Sequence, residues 1–548
     1  MKRLSLILGL MVFMDCSPAR ADMTVYAVHA LARVRPRDRA LSADRIAIGA
    51  ARNEYEPLQV VVRGGRETLR GVRMNITDFK TSDGDVIAAS NVTFYREQYV
   101  NVAQATPRSR DGAGWYPDAL VPFTAAAPIR RQGARFGGAP FDVDPDVNQP
   151  VWVDVYVPRD ARAGTYTAVI TVTAGEERPR EITVTLTVWG FTLPDTPSMR
   201  SNFGKLGLDI AIKHGVEMNS REFQVPEWYY GEALAACRIS PIIPNTLYPI
   251  VRPDGSIDPS KTHAGLQRWI STFHVTGFPL RLLGDDPTGR DRIRNLTHLR
   301  AMVAYLEEHG WEKMAYVYVL DEPNSAAEYE DVRRRAALVH EAVPDLKVMC
   351  TEQPVPDHAG WGTLVGSVDI WVPMWPLFDE ASIRERQRAG EEVWTYTAQT
   401  QGKRGQDTPY WEIDFPLLDF RVPMWISWRY GLEGILYWSP VWWSVTRDMW
   451  EDPGTYRVGK DVYNGEGALF YPGVDAGVDG PVMSVRLKQI REGLEDYEYL
   501  KLLAEREGFT RAQELVREVA SSWTEWNPDA GALYRTREAI ARRIAAAR

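Results

Sequence analysis

Two adjacent carboxylates followed by a proline, Asp321-Glu322-Pro323, stand directly after the run Ala315-Tyr-Val-Tyr-Val-Leu320. An apolar run of this kind predicts a strand buried on both faces. Pro323 keeps Glu322 out of the right-handed helical region, which places both carboxylates at the strand's end and not in the next helix. That helix opens at Ser325 with Glu328 three residues on, a capping-box pattern. Its positive end lies near the pair. Carboxyl groups at the end of a buried strand suit glycosidic-bond cleavage, in which two of them normally flank the scissile bond. An adjacent pair suits a variant in which the substrate supplies its own nucleophile. In a 2-acetamido sugar the carbonyl oxygen attacks the anomeric carbon, one carboxylate orients the amide, and the other protonates the leaving oxygen. Successive strand side chains point to opposite faces, so the two carboxylates converge only where the strand end is bulged or twisted.

Other chemistries lack their residues. The eight His form no His-Glu-x-x-His pair, and no Gly-x-Ser-x-Gly elbow or phosphate-binding glycine loop occurs. No metal or organic cofactor is expected. Glu352, or Asp285 or Asp286, could serve Glu322 as a second carboxylate on neutral sugars. A non-catalytic carbohydrate-binding surface protein is the alternative of a different class. The 19 Trp favour a sugar site, because an indole face suits the apolar C–H face of a pyranose. Eleven of them fall between Trp361 and Trp450. Trp375, Trp394 and Trp438, near strand ends, are expected to wall the pocket, whereas Trp425 and Trp428 are expected in the core.

These groups need elements to position them. From residue 22 to 197 the chain reads as short alternating strands, among them Val151–Val157, Thr165–Thr171 and Ile182–Val188, which predicts an antiparallel β-sandwich. After Pro194-Asp-Thr-Pro197 apolar runs alternate with segments of helical period. The runs begin near Ser201 and continue at Pro241–Pro249, Leu280–Leu283, Ala315–Leu320, Lys347–Thr351, Val368–Met374, Val393–Ala398 and Gly434–Trp438. Leu296, Leu299, Val303 and Leu306 mark one helix face, and Tyr329, Val332, Ala336, Val339 and Val343 another. Eight such units over residues 198–505 predict a (β/α)8 barrel, whose active site lies where its strands end. Residues 506–548 complete a helical C-terminal end.

The chain has 548 residues, enough for several cores. Its 64 Lys and Arg against 73 Asp and Glu give a net charge of -9, which argues against nucleic acid as a partner. Lys2 and Arg3, an apolar run from Leu4 to Phe13, and Ala19-Arg20-Ala21 form the pattern of a signal peptide over residues 1–21. That run is too short to span a bilayer, so an exported, periplasmic or extracellular protein is expected. Loss of Lys2, Arg3 and Arg20 against Asp15 takes the charge from -9 to -11. Cys237 and Cys350 are expected as separate buried thiols.

Three motifs carry a family resemblance: Tyr316-Val-Tyr-Val-Leu-Asp-Glu-Pro323, Gly465-Glu-Gly-Ala-Leu-Phe-Tyr-Pro-Gly473 and Arg491-Glu-Gly-Leu-Glu-Asp-Tyr-Glu-Tyr-Leu500. Over most of its length the chain resembles glycoside hydrolase family 123. The resemblance implies a retaining exo-β-N-acetylgalactosaminidase working through an oxazolinium intermediate on a glycan that ends in N-acetylhexosamine. It implies that Asp321 orients the acetamido group and Glu322 is the general acid/base. Tyr396 would then bond the acetamido carbonyl.

Overall fold

The structure, a computed structural model, describes residues 23–124, 134–401 and 407–546; the expected export segment at 1–21 lies outside them. The N-terminal part is two β-sheets packed face to face. One orders Thr24–His29, Glu54–Arg63, Asn148–Val157, Val92–Val102 and Gly114–Pro122, all antiparallel. The other orders Arg45–Arg52, Arg180–Thr192, Gly164–Thr173, Leu69–Ile76 and Phe141–Val143. It departs from the expected antiparallel pattern at one pair, since Arg180–Thr192 runs parallel to Arg45–Arg52. Val151, Val153, Val155 and Val157 meet Ile170, Val172, Val184 and Leu186 between the sheets. Trp152, on the opposite face, joins the core of the second half of the chain. The first sheet is therefore buried on both sides.

The second half is built on a curled parallel sheet. Its strands are β1 (Arg200–Asn202), β2 (Phe278–Leu280), β3 (Ala315–Leu320), β4 (Lys347–Cys350), β5 (Ile370–Trp371), β6 (Glu392–Tyr396) and β7 (Gly434–Leu436). Their order is β1-β7-β6-β5-β4-β3-β2, and every neighbouring pair is parallel. Among the described residues this sheet has seven strands and not the eight of a complete barrel. The expected strand at Pro241–Pro249 does not form. In its place residues 239–244 run between β1 and β2, tied by serine hydroxyls: Ser240 N donates to Ser201 Oγ at 2.8 Å, and Thr276 N donates to Ser240 Oγ at 3.0 Å. Pro241 and Pro244 carry no N–H, which denies the segment the donors of a ladder.

The two helices expected from periodicity are Arg292–Glu308 and Ala326–Ala342. Tyr316, Met349, Ile370, Trp394, Tyr396 and Leu436 pack inside the curled sheet. The helix Val485–Glu507 runs through the boundary expected at residue 505 and packs against the first β-sheet. Tyr499 Oη donates to Glu54 Oε2 at 2.7 Å across that joint, and Lys488 Nζ donates to Asp154 Oδ2 at the same distance. Cys237 and Cys350 are free and buried. No helix is long and apolar enough to cross a membrane among the described residues.

Candidate active site

A cavity of about 1150 Å³ opens where the parallel strands end. Asp321 and Glu322 line it, at the end of β3, together with Tyr318, Tyr396, Gln399, Trp438, Trp442 and Tyr456. The backbone brings both carboxylates to one side by the two devices that the strand geometry requires. The register of β3 on β4 shifts between Tyr318 and Leu320, a bulge that re-aims the residues beyond it. Glu322 then takes φ 43°, a left-handed conformation that is rare outside glycine. The helix beyond begins as expected: Ser325 Oγ accepts from Glu328 N at 3.2 Å and donates to Glu328 Oε2 at 2.9 Å.

Each carboxylate has its own donors. Tyr318 Oη donates to Asp321 Oδ1 at 2.5 Å and Thr351 Oγ1 donates to the same oxygen at 2.9 Å, leaving Oδ2 for a ligand. Thr351 Oγ1 also accepts from Glu322 N at 2.8 Å, which fixes the left-handed residue. Tyr396 Oη donates to Glu322 Oε1. Burial, reinforced by the neighbouring carboxylates, raises the hydroxyls of Tyr318 and Tyr396 well above the usual phenol range. Both therefore remain neutral donors. Tyr396 is committed to Glu322 here, and a bond to an acetamido carbonyl requires it to exchange partners.

The indoles divide differently from expectation. Trp438 lines the cavity, its Nε1 donating to Glu466 and its ring meeting Trp442 and Tyr456 edge-on at 5.2 and 5.8 Å. Trp375 does not line it. Its ring is 1% exposed, stacks at 4.9 Å on Trp523 and meets Trp411 edge-on at 5.5 Å, because the turn after β5 carries it outward to the hairpin Ala520–Ser522/Glu525–Trp526. Trp394 does not line the cavity either. It lies on the inner face of β6 two residues before Tyr396, one layer below the mouth, where its Nε1 donates to Glu392 Oε1 at 2.7 Å. Gly434 makes room for it, since a Cβ there would fall 2.2 Å from the ring. Of the eleven clustered Trp, only Trp438 and Trp442 line the cavity. Trp425 and Trp428 are core, as expected.

The other carboxylates considered for Glu322 stay apart from it. Glu352 is buried outside the cavity lining and accepts from Gln353 N at 3.2 Å. Asp286 closes a surface turn by accepting from Gly289 N and Arg290 N, and Asp285 beside it is exposed. Among the described residues no cluster of His, Cys, Asp and Glu is suited to a metal ion. Tyr318, Thr351 and Tyr456 were not foreseen, and Trp442 was foreseen only as one of the eleven clustered Trp. Thr351 had a signal, since it ends the apolar run Lys347–Thr351, and Tyr318 shares its strand face with Tyr316; Tyr456, in the segment beyond β7, had none.

Comparison with known proteins agrees with this layout. Residues 32–174 match the sequence model of the glycoside hydrolase 123 N-terminal domain, and residues 286–503 match that of the glycoside hydrolase 123 catalytic domain. No curated protein matches the chain. Among solved structures, a family 123 glycoside hydrolase from Clostridium perfringens, described in terms of glycolipid glycan hydrolysis, superposes with a TM-score of 0.66 at 15% identity. It covers 96% of this chain and 97% of its own. A family 39 glycoside hydrolase from Bacteroides cellulosilyticus gives 0.33 at 11% identity, covering 73% and 82%. A Bacteroides ovatus GH5 xyloglucanase gives 0.28 at 9%, covering 86% and 100%. The last two superpose too loosely to bear on fold or function. With both domains matched in order along one chain and the overall fold shared with a solved member, this protein belongs to glycoside hydrolase family 123 and is a glycoside hydrolase.

Proposed function

We propose that the protein is an exported, retaining exo-glycosidase that removes terminal β-linked N-acetylhexosamine, N-acetylgalactosamine foremost, by substrate-assisted catalysis. The decisive feature is that Asp321 and Glu322 share one strand end and one side of the cavity, so neither lies across a scissile bond from the other. Two carboxylates acting as acid and protein nucleophile need that opposition. With the acetamido group as nucleophile they do not. Asp321, anchored through Oδ1 by Tyr318 and Thr351, accepts the amide N–H on Oδ2. The carbonyl oxygen closes on the anomeric carbon as the glycosidic C–O bond breaks, and Glu322 gives its proton to the departing oxygen. Glu322 then takes a proton from the water that opens the cationic oxazolinium ring. Two displacements at one carbon leave its configuration as it began. Trp438, Trp442 and Tyr456 offer the sugar an aromatic wall.

A glycolipid glycan is the natural substrate under this reading. The Clostridium perfringens relative is described as acting on one. Here Leu208 and Met218 line the cavity while 60% and 40% exposed, an apolar rim where a lipid aglycone would emerge. The test is hydrolysis of 4-nitrophenyl β-N-acetylgalactosaminide by the wild type, Glu322→Gln and Asp321→Asn. Glu322→Gln should lose nearly all turnover and Asp321→Asn most of it, roughly 100-fold or more. Equal cleavage of the matching 2-hydroxy galactoside by the wild type would overturn substrate assistance.

A further inference from the structure

Two further carboxylates line the cavity. Asp209 is occupied: its Oδ1 accepts from Trp443 N at 3.2 Å and from Ser444 Oγ at 2.7 Å, which ties the helix Leu208–His214 to the loop after β7. Glu227 is different. It stands in the first turn of the helix Gln224–Ala236 and is only 7% exposed, yet among the described residues no group donates to its carboxylate and no cation pairs with it. Burial alone, with no neighbouring charge, pushes its carboxyl up to about 7. A buried carboxylate without donors is costly to the folded chain, and cavities keep such groups where a ligand completes them.

Its place in the fold says what part of a ligand it meets. Glu227 belongs to the segment that follows β1, whereas Asp321 and Glu322 follow β3; β7, which Trp438 follows, is the neighbour of β1. Glu227 and Trp438 therefore belong to one side of the curled sheet and the carboxylate pair to the other. A pyranose laid against the Trp438 ring with its anomeric carbon at Asp321 and Glu322 turns its far hydroxyl edge to Glu227. We propose that Glu227 is a specificity-determining residue that accepts hydrogen bonds from hydroxyl groups on the edge of the terminal sugar remote from the scissile bond. This rests on the reading of the cavity as the site of a terminal sugar.

The experiment compares the wild type, Glu227→Gln and Glu227→Ala on 4-nitrophenyl β-N-acetylgalactosaminide and its 3-, 4- and 6-deoxy analogues. On the parent glycoside Glu227→Ala is expected to lower kcat/KM by roughly 10- to 100-fold. On the analogue that lacks the bonded hydroxyl the loss should shrink to about twofold, since the substrate has already given up that bond. Glu227→Gln, which keeps the side-chain shape, should show the same dependence on the analogue. An equal loss on every analogue, no loss on the parent, or a loss beyond roughly 1000-fold throughout, the mark of a second catalytic carboxylate, would overturn the proposal. Should the wild type leave the N-acetylgalactosaminide uncleaved, the function proposed above fails on its own. The Glu227 contact is then read by calorimetry with free N-acetylgalactosamine and galactose. An affinity about 10-fold weaker in Glu227→Ala supports it; equal affinities, or binding of neither sugar to the wild type, overturn it.

Discussion

At the scale of residues, the site is a set of hydroxyl donors as much as a pair of acids. Tyr318 and Tyr396 each spend their one proton on a carboxylate oxygen, and burial holds both phenols well above the usual range. Each donor fixes which oxygen of its carboxylate is left to the substrate. Tyr396→Phe and Tyr318→Phe should each lower kcat/KM by roughly 10- to 100-fold, the worth of one bond to an ionised group. The melting temperature should barely move, since the rings remain packed beside Trp394 and Met349. Steady-state kinetics beside a thermal melt checks this, and unchanged kcat/KM in both variants would remove the tyrosines from the machinery. The acids were legible in the sequence because an apolar strand ended in them. Tyr396 enters only through the family resemblance, as a partner of the acetamido carbonyl; its bond to Glu322 was not legible, since it sits 74 residues away and only the sheet order, β6 beside β5 and β4 before β3, brings it across. Trp375 and Trp394 misled for a related reason. Nearness to a strand end does not say which face of the sheet, or which layer inside it, a ring occupies, and there the outward turn after β5 and the period of β6 decided.

At the scale of elements, the aromatic wall is held from behind by a loop that a sequence motif marks without explaining. In Gly465-Glu-Gly467, Glu466 accepts the indole N–H of Trp438, and Gly467, at φ 65°, passes so close that a Cβ would come within 2.2 Å of the ring. Behind Glu466 lies Glu412, equally buried. Burial, with the mutual repulsion of the pair, raises the Glu412 carboxyl well above the usual range, and burial raises that of Glu466. Among the described residues both oxygens of Glu412 and one of Glu466 lack a donor from elsewhere, and a proton held between the two carboxyls would bridge one oxygen of each. Glu466→Ala removes the anchor of the indole and leaves Glu412 alone. It should raise KM about 10-fold with a smaller change in kcat, while Glu466→Gln, which keeps an acceptor for Trp438 and brings a donor for Glu412, stays close to wild type. Equal Michaelis constants in all three proteins would sever this loop from sugar binding. The segment at Pro241–Pro249 shows the opposite limit of pattern reading. Its hydrophobicity is that of a strand, but a strand is defined by paired N–H and C=O groups, and Pro241 and Pro244 together with the hydroxyls of Ser201 and Ser240 take the ladder's place.

At the scale of the whole molecule, the third motif of the family resemblance, Arg491 to Leu500, lies outside the cavity lining and serves as the joint between the two halves. Arg491 and Lys488 meet Asp154 of the β-sandwich, Arg421 and Arg537 meet Asp496, and Arg537 also reaches Glu54 and Glu56. A buried network of this size gives stability a pH dependence whose sign follows from each group. Burial works against the Asp154 carboxylate, but Arg491 and Lys488 outweigh it and hold the group far below the usual range. Its contribution is present above the unfolded-state value of about 3.9 and fades only as pH falls through the folded value, so the joint survives mild acid. Glu97 behaves in reverse. It is buried, among the described residues no group donates to Oε1, and burial pushes its carboxyl up to about 8 against the pull of Arg33; Glu56 is pushed up by burial to about 7. Between the unfolded-state value of about 4.3 and these folded values, the folded chain holds more protons than the unfolded one, and stability falls as pH rises. The melting temperature should thus be highest near pH 5 and decline toward pH 8. Glu97→Gln, which fixes the neutral form, should flatten the decline by raising the melting temperature at pH 8 more than at pH 5. Thermal melts of both proteins across that range decide it: a wild-type melting temperature that climbs from pH 5 to pH 8 would mean that the interior carboxylates are ionised in the fold and that the joint's cations, not its protons, neutralise them.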